Sequence, residues 1–276
     1  MDFIQLIILA IVQGITEFLP VSSSGHLVAV NELLIELGHS ELQDQLMVNV
    51  MLHAGTLGSI LVFYRREIVR ILTTNRQLIG PIIVGTIPVG LLGVTIKKLL
   101  PAETEAWVES SILTSPTVSG AMFLVTAGLL IFSARRQPGE TELPEIGYRD
   151  ALLIGAVQSL AVLPGLSRSG STIAAGLLFG LNRHAAATFS FLLAIPAIGG
   201  ATLVEVLELV GGDASTAASS GMSGLAVATL VAFVVGIVSL LLLVKLVLAG
   251  KLQYFAIYLV PLGLVMLAWK GLELFG

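Results

Sequence analysis

Gln13-Gly14-Ile15-Thr16-Glu17-Phe18-Leu19-Pro20-Val21-Ser22-Ser23-Ser24-Gly25-His26 cuts short an apolar run that begins at residue 3. The apolar piece before it, residues 3–12, falls short of the ~20 helical residues that cross a hydrocarbon core. The pattern returns at residues 151–163, again apolar and short, which run into Pro164-Gly165-Leu166-Ser167-Arg168-Ser169-Gly170-Ser171-Thr172. Backbone outside a helix leaves N–H and C=O groups unpaired, and at membrane depth this is tolerated only inside protein or against a wet cavity. Each stretch is therefore read as a re-entrant helix–loop–helix, and two of them predict a polar cavity.

The remaining sequence places these breaks in a membrane. Of 276 residues 55% are hydrophobic and 12% charged, with a mean hydropathy of +0.97, whereas soluble domains carry roughly 25% charged residues. Six stretches are long enough to span, at about 46–64, 79–96, 117–134, 188–210, 223–249 and 254–272. The expected fold is an all-α polytopic membrane protein with about six transmembrane helices and two re-entrant segments, forming one membrane domain over 1–276. The chain has no cysteine, which excludes disulfides, thiolate metal sites and cysteine nucleophiles. The start, Met1-Asp2-Phe3, has no basic segment and no small-residue cleavage signal, so no removable signal peptide is expected. The net charge is −4 and the basic residues sit in short loops without interleaved aromatics, which argues against a nucleic-acid partner.

Basic residues also orient the chain. Arg65, Arg66, Arg70 and Arg76 follow the first span, and Arg135, Arg136 and Arg149 follow the third, so both connections should be cytoplasmic. Lys245 and Lys251 agree, the loops around 101–116 and 211–222 hold no Lys or Arg, and Lys97 and Lys98 are a minor violation. This threading puts both termini outside, with the first re-entrant segment entering from outside and the second from inside. Gln13, Ser22, Ser24 and Gly25 recur 145 positions on as Gln158, Ser167, Ser169 and Gly170, and Gly55-Thr56-Leu57 returns one residue further along as Ala201-Thr202-Leu203. Repeat one covers about 1–135 and repeat two about 150–276. An odd number of spans in each makes them inverted copies, with the polar site where they meet near the midplane.

Within the first break, Gln13 and Glu17 are i,i+4 neighbours on one helix face, and two oxygen-bearing side chains so placed can hold a hard cation such as Mg²⁺ or Ca²⁺. A carboxylate at membrane depth is costly enough to be a functional candidate. Ser22-Ser23-Ser24-Gly25 supplies hydroxyls and, if it opens a helix, backbone N–H groups that favour an anion. His26 follows Ser23 by three residues, which offers the serine an adjacent base; a serine-rich helix start alone would be commonplace. In the second break the Arg168 guanidinium forks onto phosphate or carboxylate and cannot shed its charge, and Ser167, Ser169, Ser171 and Thr172 surround it. A snorkelling arginine would need no such loop. His53 either lines the cavity or bonds a neighbouring helix. Trp107, Trp269, Tyr254 and Tyr258 suit the aromatic belts of a bilayer. A carboxylate, a serine, a histidine, an arginine and several donors suit phosphoryl transfer, where catalysis is mostly positioning and charge neutralisation.

Gln13-x-x-x-Glu17 leading into Pro-Val-Ser-Ser-Ser-Gly-His, together with Pro-Gly-Leu-Ser-Arg-Ser-Gly-Ser-Thr, resembles the undecaprenyl-diphosphate phosphatase family, also called the bacitracin-resistance family, over essentially the whole chain. The resemblance implies hydrolysis of the polyprenyl diphosphate carrier lipid to its monophosphate for cell-wall synthesis. It also implies a Mg²⁺ or Ca²⁺ cofactor and a plasma-membrane site open to the outer face. Carried onto matching positions, it makes Glu17, Ser23, His26 and Arg168 the catalytic set, with Glu17 holding the metal. Gln13, Ser22, Ser24, Ser167, Ser169 and Thr172 are expected to bind substrate. The family has Glu or Gln at the position of Gln13, so the second carboxylate is missing here. The expected mechanism is attack by Ser23 with His26 as acid/base; attack by His26 or by water is left open, as is a homodimer. The rival class is a lipid or solute transporter, which would share the inverted-repeat cavity.

Overall fold

The computed structural model describes residues 3–38, 45–211 and 222–273. Among these residues the chain is helical, with one isolated bridge between Thr141 and Leu181. The helices are α1 (Phe3–Thr16), α2 (Ser23–Glu36), α3 (Gln45–Phe63), α4 (Arg65–Thr73), α5 (Ile79–Val94), α6 (Ala102–Val108), α7 (Pro116–Ala134), α8 (Tyr148–Leu160), α9 (Arg168–Leu178), α10 (Arg183–Gly211), α11 (Met222–Leu248) and α12 (Tyr254–Glu273). Five segments are long and apolar enough to cross a membrane: Gln45–Phe63, Arg76–Leu99, Pro116–Ala134, Arg183–Gly211 and Ser223–Leu248. This is a multi-pass membrane protein. The sixth expected span, 254–272, forms α12, whose apolar part Tyr254–Trp269 falls below that length. Most of the loop over 211–222 lies outside the described residues.

Both sequence breaks are breaks in the helices, over 17–22 between α1 and α2 and over 161–167 between α8 and α9. The start of each following helix is fixed by a serine. Ser22 accepts the Gly25 N–H at 3.4 Å and Ser167 accepts the Gly170 N–H at 3.1 Å, side-chain caps that satisfy donors the helix itself leaves unpaired. The first break is anchored by Phe18, fully buried with its ring edge-on to Phe191 of α10 at 5.9 Å.

Packing is exchanged between the two ends of the chain. α1 lies against α11 and α8 against α5, while α7 lies against α12. Residues such as Leu91, Leu207, Val238 and Ile257 turn outward and are exposed, as lipid-facing side chains of spans must be. The basic outlier Lys97 lies 3.5 Å from Glu105 and 3.9 Å from Glu208.

Candidate active site

The breaks meet backbone to backbone. Gly165, from the second break, has φ +89 and gives its N–H to the Ser22 hydroxyl of the first at 3.0 Å. A Cβ at Gly165 would lie 2.2 Å from the Ser119 carbonyl oxygen, and one at Gly25 would lie 2.7 Å from the Gly165 nitrogen. Gly165→Ala would therefore combine left-handed strain with a clash. The expected cost is about 2–5 kcal/mol, read as a lowered thermal midpoint in detergent; an unchanged midpoint would mean the crossing yields freely. Ser22 is itself at φ 71, the one described non-glycine residue with positive φ, and backbone strain of this kind is characteristic of functional sites.

Around this crossing stand the polar side chains, almost all buried. Glu17 is 9% exposed. Its Oε1 accepts from Arg168 Nη2 at 2.7 Å; its Oε2 accepts from the Ser23 hydroxyl at 2.6 Å and from Gln13 Nε2 at 3.2 Å. One carboxylate thus joins α1, α2 and α9. Charge-assisted bonds of this length are the strong ones, and with side-chain exposures of 15% for Arg168 and 8% for Glu17 the pair is not a screened surface ion pair. Arg168 Nη1 is buried and bonded to nothing in the protein. A buried guanidinium donor without a partner calls for an explanation, and a phosphate oxygen supplies one.

The second break is braced from within. Thr126 of α7 gives its hydroxyl to the Gly165 carbonyl at 2.9 Å and accepts the Ser167 N–H at 3.0 Å. Ser169 bonds the Leu19 carbonyl at 3.4 Å. Thr172 bonds the Arg168 carbonyl at 2.8 Å and meets the Ser190 hydroxyl of α10 at 2.5 Å. Ser169 and Thr172, expected to bind substrate, therefore spend their hydroxyls on protein groups. Ser167 caps α9 and lies 3.3 Å from Ser169. Ser22 is buried, whereas Ser24 is exposed at 3.2 Å from it.

The expected pairing of Ser23 with His26 is not made among the described residues. Ser23 donates to Glu17, while His26 Nδ1 lies 2.7 Å from the Ser22 carbonyl and Nε2 lies 2.8 Å from the Tyr258 hydroxyl. The three-residue spacing puts the two side chains on one side of a helical turn, but the imidazole folds back onto the carbonyl four residues earlier. His26 is also packed edge-on against Phe123 of α7, ring centres 4.9 Å apart. The sequence pointed to none of Thr126, Ser190 and Tyr258 as site residues. Thr126 and Ser190 are single hydroxyls within apolar spans, a faint signal; Tyr258, expected in an interfacial belt, is half exposed and also reaches His26. His53 is half-buried, with a buried Nδ1 that has no partner.

For a divalent cation the protein offers Glu17 and the Gln13 amide oxygen, which is buried and unbonded. Among the described residues no group of three or more His, Cys, Asp or Glu side chains could hold a metal. This donor set does not make a closed cage. It fits an ion such as Mg²⁺ that takes most of its ligands from water and substrate phosphate.

Residues 6–265 match the family described as bacitracin resistance protein BacA. A protein of Rhodopirellula baltica named undecaprenyl-diphosphatase is 43% identical over 264 residues, covering 96% of each chain. Proteins of the same name from Parabacteroides distasonis, 40% identical over 97% of this chain and 98% of the relative, and Methanosphaera stadtmanae, 36% identical over 96% and 97%, are similarly close in length. With a match that runs through both breaks and nearly end to end, the chain belongs to the bacitracin resistance protein BacA family.

Proposed function

We infer that the chain is a membrane-embedded phosphatase that hydrolyses undecaprenyl diphosphate to undecaprenyl phosphate and inorganic phosphate, returning the carrier lipid to cell-wall synthesis in the bacterial plasma membrane. The observation that carries the inference is the single carboxylate, Glu17, bonded at once to Arg168 of one break and Ser23 of the other. The names of the relatives agree with it, and nothing in them supports the transport reading.

In the mechanism proposed, Ser23 Oγ attacks the terminal phosphorus. The new O–P bond forms as the bond to the departing undecaprenyl phosphate oxygen breaks, and the Ser23 proton passes to Glu17 Oε2 along the 2.6 Å hydrogen bond. Arg168 turns its unpartnered Nη1 to a phosphoryl oxygen, where stabilisation of developing charge is the main source of rate. The backbone N–H groups opening α2 and α9 add to the same field. Water then attacks the phosphoserine, with His26 as the base that takes its proton, and the serine leaves with the proton held by Glu17. A divalent cation, Mg²⁺ or Ca²⁺, would be held by Glu17 with Gln13 and would neutralise the diphosphate. EDTA is accordingly expected to lower phosphate release by at least about tenfold, with recovery on adding Mg²⁺ or Ca²⁺. Full activity in EDTA would remove the metal from the scheme.

The architecture proposed is two inverted repeats, 1–135 and 150–276, each opening with a re-entrant segment, with the site open to the outer face. The exchanged packing supports it: α1 against α11 and α8 against α5 are the same contact seen from the two halves. Phosphate release from undecaprenyl diphosphate by purified protein tests the function. No release from well-folded protein would overturn it.

A further inference from the structure

Tyr258 lies 232 residues from His26 in sequence and takes no part in the mechanism above, yet it makes the only side-chain hydrogen bond of that imidazole among the described residues. The Ser22 carbonyl can only accept, so the bond at 2.7 Å requires a proton on His26 Nδ1. Nε2 is then the one nitrogen with a lone pair to offer in the neutral ring, and the Tyr258 hydroxyl stands 2.8 Å from it as the donor. The two ring planes are inclined by only 19° with centres 5.6 Å apart, while Phe123 closes another side of the imidazole. Bonds at both nitrogens and rings on two sides leave His26 one tautomer and one orientation.

Tyr258 is carried on a rigid support. α12 packs along α7, the helix that also carries Phe123, and a Cβ at Gly263 would lie 2.7 Å from the Gly120 carbonyl oxygen. The helices touch backbone to backbone there, so the hydroxyl and the Phe123 edge approach His26 as one unit.

We propose that Tyr258 is a positioning residue for His26, fixing the imidazole in the Nδ1–H tautomer and in one orientation, with the Nε2 lone pair held on the Tyr258 hydroxyl until the attacking water takes its place. The assignment rests on the phosphatase reading for its kinetic consequence, but its structural half stands without it. Which ring nitrogen carries the proton, and what the other one faces, decides whether a histidine can act as a base.

The test uses undecaprenyl diphosphate hydrolysis by detergent-purified wild type, Tyr258→Phe, His26→Ala and the double variant, with ¹⁵N spectra of histidine-labelled protein. Tyr258→Phe keeps the ring and removes only the donor. Its kcat is expected to fall about tenfold, because an imidazole released from the hydroxyl is no longer held in one orientation when the water arrives, with KM within about twofold because the residue does not touch substrate. The His26 Nε2 resonance, assigned by its loss in His26→Ala, should move toward that of an unbonded imidazole nitrogen. In the His26→Ala background the second substitution should cost nothing further, since residues acting as a unit are not additive. An unchanged Nε2 resonance overturns the proposal, as does an equal loss in both backgrounds, which would make Tyr258 a packing residue of α12. Where His26→Ala is too slow to measure, the nitrogen resonance alone decides. An inactive wild type with the expected resonances would instead count against the phosphatase reading and leave the hydrogen bond established.

Discussion

Arg168→Ala is expected to lower kcat by about 10³-fold or more, the range seen when an arginine that stabilises a phosphoryl-transfer transition state is removed. The protein should still purify as a folded species. Arg168 splits its guanidinium between two tasks: Nη2 on Glu17 and Nη1 with no protein partner. The first task is structural, and removing one partner of a buried ion pair can cost about 3–5 kcal/mol. Here the penalty is softened, because Glu17 keeps its bonds from Ser23 and Gln13 and a carboxyl group can take up a proton where a guanidinium cannot lose one. Arg168→Lys sharpens the distinction. It preserves the charge beside Glu17 but loses the planar fork, so stability should recover while kcat stays low. An aggregated Arg168→Ala, or a fully active Arg168→Lys, would show the arginine to be a structural counterion.

Ser23→Ala is expected to be the more damaging change, with kcat down on the order of 10⁴-fold or more, as for loss of a nucleophile in a concerted catalytic group. The Glu17 carboxylate, the proton acceptor in the proposed mechanism, already sits 2.6 Å from the Ser23 hydroxyl, so that mechanism needs no rearrangement before proton transfer. In the proposed mechanism His26 serves the second step, so His26→Ala should trap the covalent intermediate. Acid-quenched His26→Ala incubated with substrate should carry phosphate on Ser23, found by peptide mass spectrometry. Ser23→Ala within about tenfold of wild type, or no phosphate on Ser23 in His26→Ala, would transfer the nucleophile's role to water or to the imidazole.

Much of this site was legible before any coordinates. The two breaks stood out because polar, Pro- and Gly-containing sequence inside a hydrophobic chain has few physical explanations. Gln13 and Glu17 do face each other as i,i+4 neighbours, bonded at 3.2 Å, because α-helical geometry fixes local neighbours. Contacts set by the rotation and register of whole helices were not legible. Thr126, Ser190 and Tyr258 are isolated polar side chains in apolar helices, and which way each points depends on packing that no local pattern encodes. His26 fell between these cases: its helix turn was readable, but its rotamer was decided by Tyr258 from the far end of the chain and by the Ser22 carbonyl.

The exchange of partners between the two ends bears on how the protein is made. α1 emerges from the ribosome long before α11, carrying the fully buried Gln13, because the helix it packs against begins only at Met222. At a synthesis rate of about 5–20 residues per second it waits roughly 10–40 s for its partner, with the Gln13 amide and the neighbouring Glu17 carboxylate exposed to lipid or to the insertion machinery. α8 meets no such delay, because α5 is already in place. Assembly therefore has a built-in direction: α8 closes on a partner already made, and α1 acquires its final packing only once α11 has been made.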